Sequence, residues 1–172
     1  MRSEKQTTIR IARVAPADVE TLCALAAEIW RAHYPAIIST AQIEYMLAQR
    51  YNPALVRDEL QRGDLWWDQL LLNGRMAGFA SYFMTRKAGE MKLDKLYVHP
   101  DHQRKGYGRM LLDRAITIAR SYGCDTLVLA VNKRNRNAVA AYEKHGFEIV
   151  ESVVKDIGGG FVMDDYIMTK DV

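Results

Sequence analysis

Met91-Lys92-Leu93-Asp94-Lys95-Leu96-Tyr97-Val98, running on into His99-Pro100-Asp101-His102-Gln103-Arg104-Lys105-Gly106-Tyr107-Gly108-Arg109, is the stretch on which the reading of this chain turns. Its first half reads as a strand. From Gly106 to Tyr122 the apolar residues Leu111, Ala115, Ile118 and Tyr122 recur at helical spacing, and Gly123 suits the left-handed position that ends a helix. A glycine loop therefore joins a strand to a helix. At such a junction the first N–H groups of the helix are unpaired and lie at the positive end of its dipole, so they bind phosphate oxygens. Glycine lets the ligand come close to the main chain, and Arg104, Lys105 and Arg109 add cationic charge around it. A pyrophosphate fits this arrangement. A Walker loop does not, because Arg109-Met110 stands where Lys-Ser/Thr is required. A dinucleotide fingerprint fails too, because Leu111 occupies the place of the third small residue.

Outward from that stretch, the chain alternates short elements with clear punctuation. Thr8 to Val14 reads as a strand. Pro16 opens a helix with Val19, Leu22, Ala26 and Ile29 on its apolar face, ending in Trp30, His33 and Tyr34. Ser39 with Gln42 forms a capping box for a second helix through Arg50, and Asn52-Pro53 caps a third that closes at Gly63. Leu65 to Leu72 and Met76 to Arg86 flank Asn73-Gly74, the dipeptide suited to a two-residue hairpin turn. Downstream, Thr126 to Val131 is a buried strand, and Asn135 caps a last helix ended by Gly146. Phe147 to Val154 and Phe161 to Thr169 pair around Gly158-Gly159-Gly160. This order predicts an α/β fold, with a mixed and mostly antiparallel sheet of six to seven strands flanked by helices. At 172 residues, a single domain over 1–172 is expected.

Composition excludes several classes. The net charge of +3 is small and evenly spread, which argues against a nucleic-acid partner. No apolar run approaches the roughly 20 residues of a membrane span. Met1 to Thr8 carries neither a secretory signal nor a presequence pattern, so cytoplasmic residence is expected. Cys23 and Cys124 lie in apolar segments as small hydrophobes, and the four histidines have no metal-ligand spacing, so no metal is expected.

Gln103-x-x-Gly106-x-Gly108 after the strand, with Asn137-Ala138 and Tyr142-Glu143-Lys144-His145-Gly146-Phe147 downstream, resembles the GNAT N-acetyltransferase superfamily. The order of elements along the whole chain agrees. The resemblance implies a sheet splayed at its central strands and acetyl-CoA wedged in the splay. It assigns Leu96, Tyr97 and Val98 to the pantetheine arm, with the N–H of Val98 as oxyanion donor. Gln103, Arg104, Lys105, Gly106, Tyr107, Gly108 and Arg109 go to the pyrophosphate, Asn137 to pantetheine and Lys144 to the outer part of the cofactor. Tyr142 corresponds to the family's tyrosine at the cofactor sulfur. Lys92 stands where some relatives carry Glu, which leaves Asp94 or Glu90 to act as base through water; Asp94 reads equally well as a solvated carboxylate paired with Lys92 or Lys95.

The same resemblance places the acceptor between residues 30–38 and 156–161, with Trp30, His33 and Tyr34, joined by Tyr45, at its border. The expected reaction is direct acetyl transfer to a primary amine in a ternary complex. The segment Gly158 to Tyr166 is similar to that of bacterial acetyltransferases of the PaiA type, which act on polyamines. Glu28, Glu44, Asp164 and Asp165 are carboxylates suited to a cationic amine, although charges at this density usually form a solvated surface. An acyl-CoA-binding module without turnover is the alternative reading. Homodimers are common in such folds, and no sequence feature marks an interface.

Overall fold

The computed structural model describes residues 6–172. Seven strands form one sheet: β1 (Ile9–Arg13), β2 (Leu65–Leu72), β3 (Arg75–Met84), β4 (Glu90–Val98), β5 (Thr126–Asn132), β6 (Glu148–Gly158) and β7 (Phe161–Asp171). Five α-helices accompany them: α1 (Val19–His33), α2 (Thr40–Arg50), α3 (Pro53–Leu60), α4 (Tyr107–Ser121) and α5 (Arg136–Lys144). The strand order is β1-β2-β3-β4-β5-β7-β6, antiparallel except where β4 meets β5. No helix among the described residues is long and apolar enough to cross a membrane.

Local chemistry accounts for many of the element ends. Asn73 and Gly74 have φ of 50° and 78°, the two positive values that a type I′ hairpin turn needs between β2 and β3. The Ser39 Oγ accepts from the Gln42 N–H at 3.1 Å, and the Asn52 Oδ1 accepts from the Leu55 N–H at 2.8 Å, so α2 and α3 are capped as expected. Three details differ from the sequence reading. Pro16 opens a 3-10 turn, Pro16–Asp18, and α1 proper begins at Val19. The Gln42 side chain does not close a capping box; its Nε2 donates to the Val162 carbonyl at 2.8 Å, tying α2 to β7. Asn135 stands at the start of α5 but makes no cap bond, because its Oδ1 lies 3.2 Å from the His33 Nε2.

Apolar side chains pack on both faces of the sheet. One cluster joins α1 to α3 with Trp67 and Phe79 and includes Leu22, Ile29, Trp30 and Tyr51. A second joins Leu112, Ala115 and Ala119 of α4 to Met91, Leu93, Leu127, Leu129 and Met168, and a third gathers Leu70, Ala77, Val98 and Leu111. The helical stripe read in α1 is the buried one, extended by Leu25 and Trp30. Burying a leucine such as Leu22 stabilises the fold by roughly 1.5–3 kcal/mol.

Two irregularities in β4 shape the centre of the sheet. Ser81 opposes Lys95 while Tyr82 opposes Leu93, so Asp94 is an extra residue in the ladder, a bulge. The bulge reverses the alternation of faces. Leu93 packs on the α4 side, whereas Lys95 projects to the α1–α3 side, with its Nζ 4.8 Å from the Trp67 ring centre. In addition, β4 and β5 pair only from Glu90–Thr126 to Leu93–Leu129 and then separate.

Candidate active site

The separation of β4 from β5 leaves main-chain groups without a strand partner. The His99 N–H donates to the Ala77 carbonyl at 2.8 Å, which sets the phase of the β3–β4 ladder. Bonding alternates in an antiparallel pair, so Tyr97 and Lys95 bond to β3, while the N–H and C=O of Leu96 and Val98 point away from it. They point toward β5, which has already left the ladder. The Val98 carbonyl is taken by the Gln103 Nε2 at 3.0 Å. The Leu96 N–H and C=O and the Val98 N–H remain directed into the gap. This is the geometry that pairs with an amide-bearing arm laid along β4.

A cleft of about 770 Å³ opens at that gap. Leu96 and Tyr97 of β4, Val131 and Asn132 of β5, and Ala138 and Tyr142 of α5 line it, and it continues to Trp30, Tyr34, Tyr45 and Asp165. Ala138 and Tyr142 share this face because they are four residues apart on a helix. Asn137 and Lys144 fall on the exposed side of α5 and do not line the cleft.

At the end of β4 the glycine loop turns into α4. Gly106, the residue before the helix, has φ of 84°, a left-handed conformation that costs a side-chain-bearing residue about 1–2 kcal/mol. Arg104 is also left-handed, at φ 61°. Gly108 packs toward β4, and a Cβ added there would lie 3.8 Å from the Leu96 Cδ2. Gln103, Arg104, Lys105 and Arg109 are exposed, and Tyr107 is half-buried against Val98 and Leu111. Lys105 reaches the Asp101 carbonyl at 3.4 Å, and Arg109 lies 3.8 Å from Asp113. A loop of this shape offers exposed cations beside the unpaired amides of a helix start.

Where the cleft meets α5, the Tyr142 ring packs edge-on to Phe147 with centres 5.4 Å apart. Burial, with a smaller push from Tyr34, raises its pKa above the ordinary phenol value. The hydroxyl therefore stays protonated at neutral pH and is suited to donating a proton or hydrogen bond rather than to acting as a base.

On the side where the acceptor is expected, the Trp30 and Tyr34 rings lie tilted against each other with centres 4.4 Å apart, and the Tyr34 and Tyr97 hydroxyls lie 2.9 Å apart. Trp30 and Tyr34 line the cleft; His33 lies behind them on Asn135. The Tyr45 hydroxyl donates to the Ile157 carbonyl at 2.7 Å and closes the β6–β7 turn over α2. That turn requires Gly158, at φ 87°, since a Cβ there would lie 2.5 Å from the Tyr45 oxygen. Arg134 straps the loop before α5 to the α1–α2 connection, donating to the carbonyls of Ile37 at 2.7 Å and Ala36 at 3.1 Å.

The carboxylates named as candidate bases are placed very differently. Glu90 sits at the far end of β4, bonded to the Thr85 hydroxyl at 2.9 Å and 3.4 Å from the Lys87 Nζ, and does not line the cleft. Asp94 lines it but is ion-paired to Lys95 at 2.5 Å and Arg50 at 3.1 Å. Burial alone would raise its pKa; Lys95, Arg50 and Lys92 outweigh that and hold it at about 2, so it is a weak proton acceptor. Asp165 of β7 also lines the cleft. It is 5% exposed and its Oδ1 has no hydrogen-bond partner among the described residues. Burial raises its pKa despite the opposing Arg50 and Lys92. In the sequence Asp165 reads as a charge suited to a cationic amine, and nothing beside it in the chain marks it as a base. The available signal was Met163 and Asp165 alternating on one face of β7.

Residues 23–147 match the profile of the family described as Acetyltransferase (GNAT) family. The chain is 28% identical over 159 residues to the spermidine N(1)-acetyltransferase of Thermoplasma acidophilum, a match covering 91% of this chain and 96% of that protein. It is 42% identical over 79 residues to the ribosomal protein bS18-alanine N-acetyltransferase of Escherichia coli, across 46% of this chain and 52% of that one. Among solved structures, the PaiA N-acetyltransferase from Thermoplasma acidophilum in complex with coenzyme A superimposes with a TM-score of 0.83 at 27% identity, over 96% of this chain and 99% of that one.

Proposed function

This chain belongs to the acetyltransferase (GNAT) family as an acetyl-CoA-dependent N-acetyltransferase, and from that premise we propose that it acetylates the primary amine of a small acceptor by direct attack, with both substrates held in one cleft. The observation that carries this is the continuity of the cleft. Leu96 of the strand gap, Tyr142 of α5 and the aromatic residues Trp30, Tyr34 and Tyr45 all line the same cavity.

Acetyl-CoA supplies an acetyl group activated as a thioester. The free main-chain groups of Leu96 align its amide-bearing arm, and the Val98 N–H is a preorganised donor for the carbonyl oxygen as it gains charge. The loop from Gln103 to Arg109 receives the pyrophosphate on amides and exposed cations. Tyr142 donates to the departing sulfur. Asp94, ion-paired to Arg50 and Lys95, is the bulged residue that precedes the free main chain of β4.

A small polyamine is the acceptor suggested by the Thermoplasma relative, whose name records spermidine and whose match covers 91% of this chain. The test is acetyl-CoA consumption over a panel of spermidine, spermine, amino acids and peptide N-termini. Turnover with a polyamine and a strong loss in Tyr142→Phe are expected. Coenzyme A binding with no turnover for any amine would refute the proposal.

A further inference from the structure

The site described so far has a donor for the leaving sulfur and a donor for the oxyanion, but its candidate bases are disabled. Asp94 is neutralised by two cations and Glu90 lies outside the cleft. Of the other carboxylates that line the cleft, Asp156 is exposed, with its Oδ1 accepting the Gly158 N–H at 2.8 Å. Asp165 is left, buried and with an Oδ1 that no group among the described residues satisfies. A buried acceptor atom without a partner costs about 1–3 kcal/mol, so a fold that keeps one beside a cavity calls for an explanation in that cavity.

We propose that Asp165 receives the acceptor's ammonium group and takes its proton, which makes it a catalytic residue of the transfer. The assignment rests on the reaction proposed above. Asp165 enters the cleft from β7, opposite Asn132 of β5, close to the point where β5 has left β4 and the thioester is expected. An ammonium donates directly to the unpartnered Oδ1 and supplies the bond the fold omits.

The step balances. R–NH3+ gives one proton to the Asp165 carboxylate, and the neutral nitrogen lone pair forms the C–N bond at the acetyl carbon. The C–S bond breaks, its electron pair leaves on sulfur, where the Tyr142 hydroxyl hydrogen-bonds the developing charge, and the second nitrogen proton passes through solvent to that thiolate. Asp165 then releases its proton to solvent. The products are the acetamide, free coenzyme A thiol and H+.

The surroundings of Asp165 favour this exchange from both sides. Arg50 of α2, Lys92 of β4 and Lys133 of the loop after β5 stabilise its charged form, while burial and the neighbouring Asp164 oppose it, with a net upward shift. Asp94 and Lys95 face the same cavity as a closed pair, and the Tyr34 phenol feels the Asp165 charge. The cations Arg50 and Lys92 also acidify an incoming ammonium. The gap of roughly 6 units between model amine and carboxylate therefore narrows from each end.

The experiment compares wild type, Asp165→Asn and Asp165→Glu, using acetyl-CoA with spermidine and the amine panel from pH 4 to pH 10. Calorimetric coenzyme A binding serves as the measure of an intact cofactor site. For Asp165→Asn the expected result is a fall of about 100-fold or more in kcat/KM for the acceptor, with loss of its acid limb and an unchanged coenzyme A Kd. Asp165→Glu is expected to recover part of the rate. An Asn variant with wild-type kcat/KM and an intact acid limb would overturn the assignment. So would loss of coenzyme A affinity in step with activity, which would make Asp165 a structural residue. Wild type that binds coenzyme A but turns over no amine would instead sink the transfer reading itself, and this assignment with it.

Discussion

Replacing Tyr142 with Phe removes one oxygen from the junction between the strand gap and the acceptor side. The phenol is held protonated by burial, and the residues around it raise its pKa rather than lower it. With model values near 10 for a phenol and 8.5 for a thiol, complete proton transfer to a thiolate is already uphill by about 2 kcal/mol, and burial of the phenol widens the difference. The hydroxyl therefore acts mainly as a hydrogen-bond donor to sulfur as negative charge forms there. A hydrogen bond to a charged group contributes about 1.5–3 kcal/mol. At 1.36 kcal/mol per decade, Tyr142→Phe should lower kcat by about 10- to 150-fold. The bond forms only as charge develops, so KM and the coenzyme A Kd should hold. The ring keeps its packing on Phe147, so Tm should not fall. Initial rates read by a thiol-reactive chromophore, with calorimetry and a thermal melt on the same preparations, test each part. A kcat within twofold of wild type at unchanged Kd would refute the donor role. A Tm several degrees lower would show that the hydroxyl supports the fold instead.

Asp94→Asn removes the anion between Arg50 and Lys95 and should destabilise the protein at pH 7 by about 3–5 kcal/mol in urea unfolding. Its pKa is depressed on folding, so its contribution is fully present above about pH 4 and is lost as pH falls toward 2, a decline of roughly 2 kcal/mol that the variant should lack. Equal slopes between pH 4 and 2 in the two proteins would contradict the ion-pair account. Gly106→Glu places a side chain at φ 84° and an anion at the phosphate loop, and should weaken coenzyme A binding by at least about tenfold while the melt shifts by the equivalent of about 1–2 kcal/mol. Unaltered affinity would remove the loop from the cofactor site. Arg134→Ala frees the α1–α2 connection from the loop before α5; the acceptor KM should rise several-fold with coenzyme A affinity unchanged, and a change confined to coenzyme A binding would reverse that assignment.

Much of this architecture is legible in short windows of sequence. The Asn73-Gly74 turn, the Ser39 and Asn52 caps, the left-handed Gly123 and the glycine loop between β4 and α4 all appear where their residues indicate. Each depends on partners within a few positions, so local propensity is enough to specify it. Side chains with distant partners are not legible in the same windows. Gln42 bonds to Val162 and Asn135 to His33, and no local pattern competes with those contacts.

The candidate site divides along the same line. By itself, the sequence determined a strand, a phosphate-type loop and a helix carrying Tyr142, because those features follow from residue type and spacing. Only the tertiary structure decided which groups are available for chemistry. The Asp94 bulge sends Asp94 and Lys95 to one face of β4, where Arg50 from α2 completes an ion cluster and silences that carboxylate. The early parting of β5 exposes the Leu96 and Val98 main chain. Asp165, one of two adjacent aspartates in β7, is buried without a partner while Asp164 pairs with Lys133 at 2.6 Å. The basicity of a carboxylate depends on its burial and on the charges within a few ångströms, and those come from elements far apart in the chain.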